Sequence, residues 1–290
     1  MQYAIENQYL DIRVKSLGAE LCSLYDKEAQ QELLWQADAA FWPRHAPVLF
    51  PVVGKLKNDQ YRYRDQWYTM GQHGFARDKT FTLFRQEEHK LIFRLTDDEV
   101  TRKVYPFTFQ LDIVYELRGK ELVTSYWVEN PAHEDLYFSI GAHPAFRVPL
   151  LPGESLEDYE LEFNQEEDAP VYLIREGLIS EETLPVFRDR KRLALNEAMF
   201  ERDALVFKGL RSEDITMKKR GTATGMQFIF PDFPFFGIWK KPGAAFICLE
   251  PWCGIADGTA HDQELTRKEG IVRLEAGGTF SRSFSVISKE

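Results

Sequence analysis

Apolar and polar residues alternate through much of this chain, and that period of two limits what it can fold into. Phe107, Phe109, Leu111, Ile113, Tyr115 and Leu117 are separated by Thr108, Gln110, Asp112, Val114 and Glu116, as in a strand that buries one face. The same pattern runs through Leu10, Ile12 and Val14, and through Leu122, Thr124, Tyr126 and Val128. Near the C-terminus Phe280, Phe284 and Val286 oppose Ser281, Ser283 and Ser285. Gly119-Lys120, Pro152-Gly153 and Gly277-Gly278 punctuate these runs, which suits hairpins and meanders. Crossover units would need long amphipathic helices between the strands, and the pattern supplies few. The expectation is an all-β protein, a large antiparallel β-sandwich forming a single domain over residues 1–290. Short helices are expected at 196–201 and 262–268. The carboxylate-rich stretch 154–168 reads as an exposed connection with an edge strand at 159–163.

The content of 22 Phe, 12 Tyr and 6 Trp suits pleated sheets and supplies flat apolar surfaces. A formal charge of −10 opposes approach to phosphate backbones and anionic lipid, so neither nucleic acid nor membrane is an expected partner. No run reaches the roughly 18 apolar residues of a membrane-spanning helix. Residues 1–7 lack the basic and apolar regions of a secretory signal. Cys22, Cys248 and Cys253 form neither an even disulfide set nor a Cys-x-x-Cys pair, which implies a reducing, cytoplasmic location and no structural zinc. Nucleophile elbow, phosphate loop and dinucleotide fingerprint are all missing from the sequence. No cofactor and no metal are expected.

Three segments place ionisable groups among small, aromatic or proline residues. In Gly-Gln-His-Gly-Phe-Ala-Arg at 71–77, glycines allow close approach of a ligand while His73 and Arg77 offer donors to oxygen. In Ser-Ile-Gly-Ala-His-Pro-Ala-Phe at 139–146, Pro144 forces the backbone of His143 toward an extended conformation and so fixes its ring direction. Histidine titrates nearest neutrality, which suits proton transfer. The near-continuous apolar run Ala-Ala-Phe-Ile-Cys-Leu-Glu-Pro-Trp at 244–252 ends in a carboxylate whose burial would raise its pKa toward that of a working base. Each segment also has a purely structural reading, a hydrogen-bonded loop histidine, a satisfied core histidine and a buried ion pair respectively. Cys248 and Cys253 read as packing residues.

Taken together, His-Gly-Phe-Ala-Arg at 73–77, Gly-Ala-His-Pro-Ala-Phe at 141–146 and Leu-Glu-Pro-Trp-Cys-Gly at 249–254 resemble the aldose 1-epimerase (galactose mutarotase) superfamily, in its LacX-type branch. Asp203-Ala-Leu-Val-Phe and the closing Leu274-Glu-Ala-Gly-Gly extend the likeness over nearly the whole chain. The resemblance implies an antiparallel sandwich with its site in a groove across one sheet, and interconversion of the anomers of a hexose or hexose phosphate. It further implies that His143 is the general acid at the ring oxygen and Glu250 the general base at the anomeric hydroxyl. His73 would assist at the ring oxygen, Asp203 would hold sugar hydroxyls and Arg77 would bind a phosphate. Lys55 falls where relatives often carry arginine, a point charge in place of a planar fork.

Neighbouring carboxylates are expected to keep His143 protonated. Two other functions fit the same residues. A glycosidase would use Asp203 and Glu250 as its carboxylate pair, and a sugar-binding module would keep the groove without the reaction.

Overall fold

A computed structural model describes residues 1–289. Strands dominate, every strand-to-strand pairing is antiparallel, and two large sheets form the β-sandwich that the alternation implies. One sheet has nine strands with the long C-terminal strand Thr279–Lys289 at its centre, between Gly225–Ile229 and Glu121–Glu129. The other has eight strands, and Phe246–Cys253 lies within it beside Phe235–Trp239. A smaller four-stranded sheet comes from the first 32 residues.

Alternation decides which side chains meet between the sheets. Phe107, Phe109, Leu111, Ile113, Tyr115 and Leu117 are all buried in the main core, although the strand itself begins only at Gln110. Phe228 of the nine-stranded sheet meets Phe146 and Phe236 of the eight-stranded sheet, ring centroids 5.8 and 6.1 Å apart. Burial of such rings removes large apolar areas from water, the main force holding two sheets face to face.

Several local expectations change. The two short helices are single 3₁₀ turns, Glu197–Phe200 and Leu265–Arg267. Asn196 accepts from the Met199 amide, and Asp262 accepts from the Glu264 amide. These side-chain turns satisfy the backbone before a longer helix can propagate. The one α-helix among the described residues, Glu99–Val104, went unforeseen; reciprocal capping by Asp98 and Thr101 starts it. Tyr159–Phe163 is a strand but not an edge, because Arg192–Ala194 pairs along its outer side. Nor is 154–168 wholly exposed: Glu160 and Glu167 are buried, and Glu167 accepts from the Ser212 amide.

Candidate active site

The strand Phe246–Cys253 is buried at every position, yet its two faces differ. Ile247, Leu249 and Cys253 join the core between the sheets. Phe246, Cys248, Glu250 and Trp252 therefore point to the opposite face of the eight-stranded sheet. On one side its neighbour is the segment 140–147, where Ile140 pairs with Cys253, Gly141 with Trp252 and Ala145 with Cys248. That register carries through the break at Pro144 and sets His143 across from Glu250. On the other side Gly237 pairs with Glu250.

His143 Nε2 lies 3.3 Å from Glu250 Oε2. The two glycines beside this pair are a packing requirement. A Cβ on Gly141 would come within 2.6 Å of the Trp252 indole, and one on Gly237 within 2.5 Å of its far edge. The indole thus lies across both neighbouring strands and walls the carboxyl.

The pair opens into a groove of about 340 Å³ whose lining includes Trp42, His73, Arg77, Asp203, Trp239 and Lys241, near the small end of ligand pockets at about 300–1,000 Å³. Trp42 stacks on the His143 ring at 4.9 Å, and Trp239 and His73 meet that ring edge-on at 5.6 and 5.7 Å. Trp42 is held by the Trp35 indole N–H, which donates to the Trp42 carbonyl at 2.9 Å.

His73 is fixed twice to Gly54. Its amide donates to the Gly54 carbonyl at 2.9 Å, and the Gly54 amide donates to its Nδ1 at 3.1 Å. The ring therefore carries its proton on Nε2. Its backbone is left-handed at φ 67°, as is Gly74 at 69°, and a Cβ at Gly74 would strike the Phe50 carbonyl. Only glycine fits there. Asp203 is also left-handed, at φ 82°, and one of its carboxylate oxygens accepts from the Ala204 amide.

Burial sets the protonation of the central pair. It pushes the Glu250 carboxyl well above the ordinary carboxylate range, and nearby Asp203 adds to the rise. It holds His143 down to about 3, with Arg77 and Arg44 reinforcing the shift. Carboxylates do not keep this histidine protonated, contrary to the expectation above, because cations and desolvation outweigh them. Both shifts favour the uncharged forms, a neutral imidazole beside a neutral carboxylic acid. Burial likewise keeps His73 neutral.

Of the six residues singled out in sequence, His73, Arg77, His143, Asp203 and Glu250 line one groove. Lys55 does not. Its ammonium donates to the Glu176 carbonyl at 3.2 Å, and its stem lies against Gly177. Arg77 donates to the Gln72 carbonyl at 2.8 Å, and Arg44 and Arg77 flank a single carboxylate, Asp78, at 2.8 and 3.8 Å. That end of the groove thus carries more positive than negative groups.

Sequence reasoning missed Trp42, Trp239, Gln72 and Lys241. The adjacent aromatics Phe41-Trp42 before Pro43, outside any alternating run, were the one available signal.

A family model described as aldose 1-epimerase matches residues 1–271. The plasmid-encoded protein LacX of Lactococcus lactis subsp. lactis is 34% identical over an alignment of 296 residues covering 99% of each chain. Among solved structures, a galactose mutarotase related enzyme from Lactobacillus acidophilus is 33% identical with a TM-score of 0.94, covering 100% of this chain and 98% of its own. A galactose mutarotase-like protein from Lactobacillus casei ATCC 334 is 29% identical with the same TM-score of 0.94, over 100% of both chains.

Proposed function

Because the chain belongs to the aldose 1-epimerase family, in its LacX type, we propose that it interconverts the α and β anomers of a hexose or hexose phosphate by acid–base ring opening. The observation that carries this reading is the 3.3 Å contact between His143 and Glu250 at the floor of a sugar-sized groove.

Opening a cyclic hemiacetal requires one proton to leave O1 and one to reach the ring oxygen. Glu250 takes the first and His143 supplies the second. The C1–O5 bond breaks as the C1 carbonyl forms, rotation about C1–C2 follows, and reclosure on the other face returns both protons. Neither redox change nor a covalent enzyme intermediate is needed. The resting neutral pair has the same proton count as the reactive pair of carboxylate and imidazolium, so moving one proton along the existing contact prepares it. Positioned acid and base groups each contribute about 10²–10⁴-fold.

The remaining lining fits a pyranose. Trp42, Trp239 and Trp252 offer apolar faces to the C–H side of the ring. Asp203 and His73 face its hydroxyls and ring oxygen. The mutarotase reading is favoured over a glycosidase using Asp203 and Glu250 because the group in contact with Glu250 is His143, a histidine able to pass a proton.

The test is anomer exchange followed by polarimetry or NMR across free and 6-phosphorylated hexoses. Acceleration of at least one sugar supports the proposal. Binding without acceleration would make the protein a sugar-binding module, and release of reducing sugar from a glycoside would make it a glycosidase.

A further inference from the structure

We propose that His143, Cys248 and Glu250 together form a binding site for a thiophilic divalent cation of the zinc class, and that its occupancy excludes sugar chemistry.

The sequence holds neither a His-x-x-x-His nor a Cys-x-x-Cys pair, and the fold brings His143 to the Cys248 and Glu250 strand. Cys248 and Glu250 are two positions apart on the same strand and so share a face. His143 stands across from Glu250, and Cys248, paired with Ala145, lies buried beside Trp35 and Phe246. One donor atom from each of the three residues lies within 4.8 Å of the other two.

Zinc bonds of about 2.0–2.3 Å in tetrahedral array put neighbouring donors about 3.4–3.6 Å apart. The His143–Glu250 contact of 3.3 Å already meets that spacing. Cys248 offers its thiol within 4.8 Å of both partners and closes the set by a side-chain movement toward them.

The donors are an imidazole nitrogen, a thiol and a carboxyl, a mixture that suits zinc or cobalt and does not suit calcium or magnesium. Binding releases the thiol and carboxyl protons, and the resulting thiolate and carboxylate neutralise the dication within a buried site. Three protein ligands leave a fourth tetrahedral position. His143 and Glu250 line the groove and Cys248 does not, so that position opens toward the sugar.

Such an ion would occupy Nε2 and the carboxylate, the two atoms the proposed reaction uses. The metal is therefore an inhibitor and not a cofactor. Binding itself stands apart from the mutarotase reading; only the inhibition rests on it.

Co²⁺ alone, titrated into the full chain and followed by absorption spectroscopy, tests the site directly. A saturable thiolate-to-cobalt charge-transfer band is expected, displaced by Zn²⁺, lost in C248S and retained in the double variant C22S/C253S. Absence of the band in the wild type, its survival in folded C248S, or its loss in the double variant would overturn the site. Should C248S fail to fold by circular dichroism, H143N decides on the same signal: it should weaken cobalt binding at least about tenfold, and unchanged binding refutes the proposal. Zn²⁺ should also slow wild-type anomer exchange, and C248S should be less sensitive. A cobalt band without inhibition would keep the ion site and overturn its claimed effect on catalysis.

Discussion

The far edge of the Trp252 indole lies 2.5 Å from where a Cβ on Gly237 would stand. Gly237 is also the cross-strand partner of Glu250, so the missing side chain gives the indole its resting place beside the carboxyl. Gly237→Ala must displace either the ring or the strand. Overpacking of this kind costs about 1–3 kcal/mol, and the displaced indole no longer walls Glu250. Chemical denaturation should show the lost stability and anomer exchange should slow. If both quantities match the wild type, the ring has a second position of equal quality.

Much of this arrangement was legible because a strand has a period of two. Once 244–252 reads as a strand, Glu250 must share a face with Cys248 and Trp252 and oppose Ile247 and Leu249, as the core confirms. The pairing of His143 with Glu250, 107 positions away, came only from resemblance, because register between distant strands is set by the whole sheet. Trp42 escaped notice because its place depends on a bond from Trp35 and on the loop contact between Arg44 and Asp78, 34 positions apart. Lys55 entered the candidate site only by resemblance, and its direction is fixed by the turn at Glu176, 121 positions on.

Glu250→Gln keeps the shape and removes the ability to take a proton, while His143→Asn removes the imidazole that supplies one. Each should suppress anomer exchange by at least about tenfold, and by up to about 10⁴-fold if proton transfer limits the rate. Circular dichroism should show a retained fold. An unchanged rate in either folded variant removes that residue's role.

The dependence of kcat/KM on pH follows from the one-proton pair. Adding a second proton charges His143, whose pKa burial holds down to about 3, so the acid limb should fall well below the usual histidine value of about 6.5. Removing the proton ionises Glu250 while His143 stays neutral. Burial raises that pKa, so the alkaline limb should lie above the ordinary carboxylate value of about 4.3. Between the limbs the proton count is constant and the rate should be flat. An acid limb near 6.5 would mean that His143 titrates like an exposed histidine, against the uncharged resting pair.

Phosphate recognition turns on the cationic end of the groove. A phosphate dianion loses strong hydration on entry and needs a charged donor to replace it. Arg77 lines the groove, and its guanidinium Nε is buried without a hydrogen-bond partner. Arg44 and Arg77 share the single counter-charge of Asp78, which leaves net positive charge at that end. The overall charge of −10 opposes an anion from afar, but screening over roughly 8 Å at physiological salt lets the local cations prevail. Arg77→Ala should therefore weaken a 6-phosphorylated hexose much more than the free sugar, measured as the ratio of their kcat/KM values. Lys55→Ala should change that ratio by no more than about twofold, the scale of an ordinary surface substitution, because its ammonium is engaged at the Glu176 carbonyl. Equal losses for both sugars in Arg77→Ala would reduce Arg77 to a residue that shapes the loop through Gln72, and a large shift in Lys55→Ala would return the phosphate role to the lysine.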